Sequence, residues 1–286
     1  MATSSRSWQP IALSRPATLG LRISAVEVAS ALGLFFAAML VYNATLTPSL
    51  SYNSLDGNEL ATVPSQLGLA HSTGYPFYTW AGKAFSYLPV GDVAHRINLM
   101  SAFGAAGASA LLFPVVVMLA RASVPLRRRL REDQRNLVIY GAAAAAALLF
   151  AFSTTLWSQA VIAEVYAPNA FMVALSVCLL IAWARREERR PTARKADGGS
   201  LGLFGAFALV YGLSLGTHLS NLALAPAFVL FVLLTNWRVV LQPQFIGVAL
   251  LGFGLGVLQF AWLPYKASHL NDPFLARNTP NDLDGI

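Results

Sequence analysis

Cysteine, charge and internal repetition are what this 286-residue chain has little of. One cysteine, Cys178, leaves nothing for an internal disulfide or a thiolate metal cluster, and its apolar neighbours make it a packing residue. Charged residues make up 12% of the chain, where a soluble domain carries roughly 25%. Hydrophobic residues reach 56% and the mean hydropathy is +0.56, so a water-soluble globule is excluded and the chain belongs in a bilayer. No second copy of the 52–82 stretch occurs, which speaks against a transporter built from inverted repeats. A phosphate-cradling glycine loop, a Cys/His metal spacing and a Ser-His-Asp order are also missing.

Apolar runs long enough to approach the ~20 residues of a membrane-crossing helix recur along the chain. They predict an all-α polytopic protein with about seven spans, near 24–46, 98–120, 137–152, 170–184, 201–216, 222–234 and 245–263. Residues 1–23 read as a cytosolic disordered tail, 24–265 as one transmembrane module with a large first outer loop at 47–97, and 266–286 as the start of another outer loop. Glu27 reads as an interfacial residue. Small residues from Gly104 to Ala108 predict a close helix approach. With the amino terminus in the cytosol, sixteen of the twenty Lys and Arg fall inside, as the positive-inside rule requires. The net charge of +7 and pI near 9.9 therefore reflect membrane topology and not nucleic-acid binding. All four histidines, with Asp56, Glu59 and Glu164, fall on the outer side.

The stretch from Tyr52 to Gly82 gathers ionisable groups, turn formers and aromatics directly after the first span. Asp56 and Glu59 are three apart, so a helix starting there shows both on one face. One suits a general base; the other suits an acceptor-orienting group or a ligand for a divalent cation. The same DGNEL sequence also fits an Asp-x-x-Glu capping box, which would tie Asp56 to the helix start, and Pro64 should break or kink that helix early. His71, ahead of the Gly74-Tyr75-Pro76 turn, offers donors to a phosphate, or it simply builds the turn. His95 and Arg96 form a better anion site, since a guanidinium can grip phosphate at two points; the alternative is a snorkelling interfacial pair. Glu164, in the outer turn with Trp157, Gln159 and Tyr166, needs a partner or water. His218 and Asn221 in THLSN are either cavity residues or helix caps.

Four segments in order, YNATLTPSLSYNSLDGNEL, LGLAHSTGYPFYTWAGKAFSYLPVGDVAHRINLMSA, LWSQAVIAEVYAPNAFMVAL and YGLSLGTHLSNLALAP, resemble a bacterial domain-of-unknown-function family of polytopic proteins related to the eukaryotic transmembrane protein O-mannosyltransferases. The likeness covers roughly residues 40–270. Family members usually read His-Pro-Pro-Gly where this chain has His71-Ser72-Thr73-Gly74, and an Asp-Ser-Gly-Glu type motif where it has Asp56-Gly57-Asn58-Glu59. The resemblance implies a C-type glycosyltransferase: a transmembrane bundle whose first outer loop carries the acidic catalytic residue. Such an enzyme takes sugar from a polyprenyl-phosphate donor and passes it to a protein or glycan acceptor on the outer face of, here, a bacterial plasma membrane. Carried over by position, Asp56 is the base and Glu59 the second choice. His71, Tyr75, His95 and Arg96 fall to the substrate and its lipid phosphate, with Glu164, His218 and Asn221 lining the cavity. No cofactor is implied. Related chains continue into further helices, so this one, ending in a polar stretch, reads as a truncated member. The competing readings are a lipid-linked sugar transporter or binding protein and a non-catalytic membrane subunit, for which the same outer groups would be ligands or caps.

Overall fold

The computed structural model describes residues 24–51, 54, 56–121, 129–188 and 196–269. The tail expected over 1–23 and most of the polar stretch expected over 266–286 lie outside the described residues, as do parts of the two basic loops. Among the described residues the secondary structure is entirely helical. Among the described residues six helices are long and apolar enough to cross a membrane, and the fifth expected span is the shorter helix Gly198–Ser214. The expected spans therefore have counterparts, although most helices begin or end several residues beyond the apolar runs, because polar residues at the interfaces extend them.

Helix α1 (Ala25–Thr45) starts with a capping box in which Ser24 Oγ accepts the Glu27 amide and Glu27 accepts the Ser24 amide. Glu27 is more than interfacial. Its carboxylate is 4% exposed, pairs with Arg121 and accepts the Tyr140 hydroxyl at 3.0 Å. A buried carboxylate needs such partners, and these tie the start of α1 to the end of α4 (Val93–Arg121) and to α5 (Glu132–Ala151). Between α1 and α4 the outer loop folds into two short helices, α2 (Gly57–Gln66) and α3 (Pro76–Phe85). Their Leu60, Val63 and Tyr78 pack with Ile97 and Met100 of α4 and with Ala163 and Val165, so these two helices share one core with the bundle.

Helix α4 lies between α1, α5 and α7 (Tyr166–Glu187). Its small residues do what their size allows: a Cβ on Gly104 would stand 2.8 Å from the backbone of Pro168. A short α6 (Thr154–Ala160) links α5 to α7. Helix α8 (Gly198–Ser214) packs on α7 and on α10 (Pro243–Val257), after α9 (Ala225–Asn236) and ahead of a last turn, α11 (Trp262–Ala267). At 17 residues α8 rises about 26 Å, short of the ~30 Å hydrocarbon core. Its final carbonyls are met inside the bundle: Gln259, 3% exposed, donates to Gly212 O at 3.1 Å and Leu213 O at 3.2 Å.

Candidate functional site

Helix α2 sets the first carboxylates. Asp56 stands at its N-cap position, but the expected capping box does not form. The Asp56 backbone is already helical (φ −92°, ψ −24°), and its side chain makes no capping bond. The Gly57 amide instead donates to Ser54 Oγ at 2.8 Å. Among the described residues the exposed Asp56 carboxylate has no hydrogen bond or ion pair. Pro64 lies inside α2, and the helix ends two residues later, at Gln66, with Leu67 in the left-handed region.

Glu59 is committed elsewhere. One carboxylate oxygen accepts the His71 amide at 2.7 Å and the other lies 3.2 Å from His71 Nδ1. On the far side of the ring, Nε2 lies 3.4 Å from the Tyr75 hydroxyl. Tyr75 precedes α3 with a left-handed backbone (φ +42°), after Gly74 at φ +82°. For a non-glycine residue that conformation costs about 1–2 kcal/mol, and it turns the ring back toward His71 while Pro76 opens α3. A Cβ on Gly74 would meet the tip of the Leu263 side chain at 2.8 Å, and its left-handed backbone is strained for any other residue.

The opposite wall comes from the α6–α7 connection and from the turn after α8. Glu164, 8% exposed, accepts the Ser54 hydroxyl, and its backbone is held at both N and O by Ser101 Oγ of α4 at 3.3 Å. Tyr166 lies against His218, with ring centres 5.7 Å apart, and His218 faces Tyr75 at 6.4 Å. Burial pushes the Tyr75 phenol above its ordinary pKa, and Tyr166, Asp56, Glu164 and Glu59 push it the same way. Tyr78, fully enclosed under α3, is raised well above the ordinary value by burial and then by Glu164. Both phenols therefore stay protonated at neutral pH.

Asp56, Glu59, His71, Tyr75, Glu164 and His218 are thus gathered into one group. His95 and Arg96 are held in a different corner. The Arg96 guanidinium donates to the carbonyls of Ser86 (2.8 Å), Val90 (2.9 Å) and Gly91 (3.0 Å), closing the connection between α3 and α4. The His95 amide is capped by Asp92 at 2.8 Å. Asn221 lies beneath the group in a buried amide network: it donates to Asn169 Oδ1 at 2.6 Å and to Ser214 O, while Thr217 also donates to Asn169. His218 Nδ1 meets the Ser220 amide and hydroxyl, which is the capping role its place in THLSN allows. Among the described residues no three His, Cys, Asp or Glu side chains are arranged to hold a metal ion.

Ser54, Ser101, Tyr166 and Asn169 are the supports that sequence reasoning missed. Tyr166 and Glu164 were legible as neighbours, but nothing in the spacing shows that Tyr166 meets a histidine 52 residues away. Tyr166 also borders an apolar cavity of about 220 Å³ between α5, α6 and α7, lined with Phe150, Leu156, Gln159 and Ala170.

A family model described as the protein O-mannosyl-transferase TMEM260 N-terminal domain matches residues 56–241. The mouse (Mus musculus) protein O-mannosyl-transferase TMEM260 is 30% identical over 240 residues, which is 82% of this chain and 30% of that protein. The Dictyostelium discoideum protein O-mannosyl-transferase tmem260 is 27% identical over 155 residues, 53% of this chain and 17% of its own length. The chain thus spans less than a third of these curated relatives. No solved structure matches it.

Proposed function

The chain belongs to the family of protein O-mannosyl-transferase TMEM260 N-terminal domains, and from that membership we propose that it is the membrane-embedded part of a glycosyltransferase. In this reading the donor is a polyprenyl-phosphate-linked sugar, a mannose by the names of the relatives, and the acceptor is a protein or glycan hydroxyl on the extracytoplasmic face. The observation that carries it is the Asp56 carboxylate, exposed at the start of α2, released from capping by Ser54, and grouped with Tyr75, Glu164 and His218.

The reaction needs a base at such a point. The acceptor oxygen attacks the anomeric carbon, the bond from that carbon to the phosphate oxygen breaks, and polyprenyl phosphate leaves with the electron pair. Asp56 takes the proton of the attacking hydroxyl. Glu164 and His218 flank Asp56 in this reading, while Arg96, whose guanidinium closes the α3–α4 connection, and His95 beside it stand apart from the reacting atoms. The cavity beside Tyr166 is below the roughly 300–1,000 Å³ of a typical small-molecule pocket, which suits a segment of the donor's hydrocarbon tail better than a headgroup.

Transfer from a panel of polyprenyl-phosphate sugars, measured in membranes carrying the chain, tests the reading. Asn keeps the size of Asp56 but cannot act as a base, so Asp56→Asn should insert and fold like the parent and lose roughly 10²-fold or more in transfer rate. Near-parental turnover in that variant would overturn the assignment.

A further inference from the structure

The pairing of Glu59 with His71 does something that a free carboxylate could not. An ionised carboxylate only accepts hydrogen bonds, so its contact with Nδ1 at 3.2 Å fixes the hydrogen of the His71 ring on that nitrogen. The backbone amide of the same residue, 2.7 Å from the other oxygen, locks the carboxylate in register with the ring. In the neutral imidazole Nε2 is then an acceptor, and the group opposite it is the Tyr75 hydroxyl at 3.4 Å. Bonds of this kind are often long before substrate binds. The Tyr75 hydrogen has two acceptors in reach, His71 Nε2 and the Ser72 carbonyl, each at 3.4 Å, and donation to either leaves lone pairs of the Tyr75 oxygen free for a further donor.

That arrangement is reinforced by backbone and neighbours. Tyr75 keeps a left-handed backbone that most side chains avoid, a state that recurs where a side chain must be aimed. Its ring is held from one side by His71, edge to face at 5.3 Å, and from the other by His218. Asp56, Glu164 and Tyr166 are the further groups close enough to act on its phenol.

We propose that Glu59 is a positioning residue and not a base: through His71 it orients the Tyr75 hydroxyl so that Tyr75 accepts a hydrogen bond from a substrate hydroxyl beside Asp56. This rests on the transferase reading for its substrate, but not for its geometry. The substrate hydroxyl belongs either to the donor sugar or to the acceptor, and the chemistry is the same for both.

The test separates the two levels. With only four histidines in the chain, ¹⁵N-histidine NMR of the full chain in nanodiscs can follow each ring. His71→Gln assigns the signal. The expected result is a His71 ring protonated at Nδ1, with an Nε2 shift that moves in Tyr75→Phe and a tautomer that becomes mixed in Glu59→Ala. A His71 tautomer indifferent to Glu59→Ala, or an Nε2 shift indifferent to Tyr75→Phe, would overturn the proposal whether or not the chain transfers sugar. In the transfer assay, Glu59→Ala and Tyr75→Phe should each lower the rate about tenfold, and the double variant should lose no more than either alone. If the loss shows in KM for the polyprenyl-phosphate mannose donor, the hydroxyl is the sugar's; if in KM for a serine or threonine peptide, it is the acceptor's. A loss of 10²-fold or more in Glu59→Ala with full activity in Tyr75→Phe would make Glu59 itself the base and overturn the proposal. A parent that transfers no sugar would count against the transferase reading alone, because the NMR result stands apart from turnover.

Discussion

Asp92 shows how one exposed side chain sets a corner of the site. It accepts the Ser49 hydroxyl and the His95 amide, joining the end of the segment after α1 to the start of α4. The Ser49 bond first, and then the His95 amide, hold its carboxyl below the ordinary aspartate pKa. A folded value below the unfolded one means that this stabilisation is complete above the ordinary carboxylate range and is lost as pH falls through the lowered value. Asp92→Ala should cost about 1 kcal/mol at neutral pH, the usual worth of an N-cap. Thermal unfolding of the purified protein in detergent should show the gap between parent and variant narrowing only below about pH 4. A gap that stays constant into that range would mean the cap works without its charge. Arg96, four residues on, spends its donors on three carbonyls of the same corner, a use that a phosphate-binding reading of the sequence could not foresee.

Among the elements, α4 and α7 carry the site because their backbones nearly touch. A Cβ at Gly104 would stand 2.8 Å from both Pro168 N and Pro168 Cα, and backbone cannot move aside as a flexible side chain can. Gly104→Val should therefore destabilise the protein by about 1–3 kcal/mol, the usual range for overpacking, seen as a lower unfolding midpoint in detergent. Because Pro168 lies two residues after Tyr166, the same change should disturb the Tyr166–His218 contact and lower transfer. Parental stability and turnover in this variant would show that the α4–α7 contact is not tight. The same logic holds between α8 and α10, where a Cβ at Gly256 would meet Gly212 Cα at 2.7 Å.

For the molecule as a whole, the candidate site occupies one end of the bundle and two buried polar clusters occupy the other. Glu27, Arg121 and Tyr140 join α1, α4 and α5 there; Glu187, Ser200 and Asn236 join α7, α8 and α9. Each carboxylate is at least nine-tenths buried and is supplied with donors, as an ionisable group near a bilayer requires. From the charge asymmetry we propose that the site faces the extracytoplasmic side. Single cysteines in a Cys178→Ser background test it: Thr62→Cys and Tyr87→Cys should react with an impermeant thiol reagent from outside, Arg131→Cys and Glu188→Cys only from inside. All four side chains are exposed, so a reversed pattern would remove the extracytoplasmic site.

The apolar runs by themselves determined that the chain is a helical membrane protein, because the bilayer leaves a backbone few other ways to satisfy its hydrogen bonds. Local sequence likewise marked the stretch holding Asp56, Glu59, His71 and Tyr75, since ionisable groups beside turn formers are conspicuous in so apolar a chain. What each does was not local. The DGNEL pattern fits a capping box, yet Glu59 was drawn away by His71, twelve residues on, and Ser54 took over the helix start. Glu164 reached Ser54 across 110 residues, and Tyr166 and His218 met only because α7 and α8 pack side by side. Partners so far apart in sequence leave no periodic trace, and only the packing of the bundle decides which carboxylate is bound and which is left free.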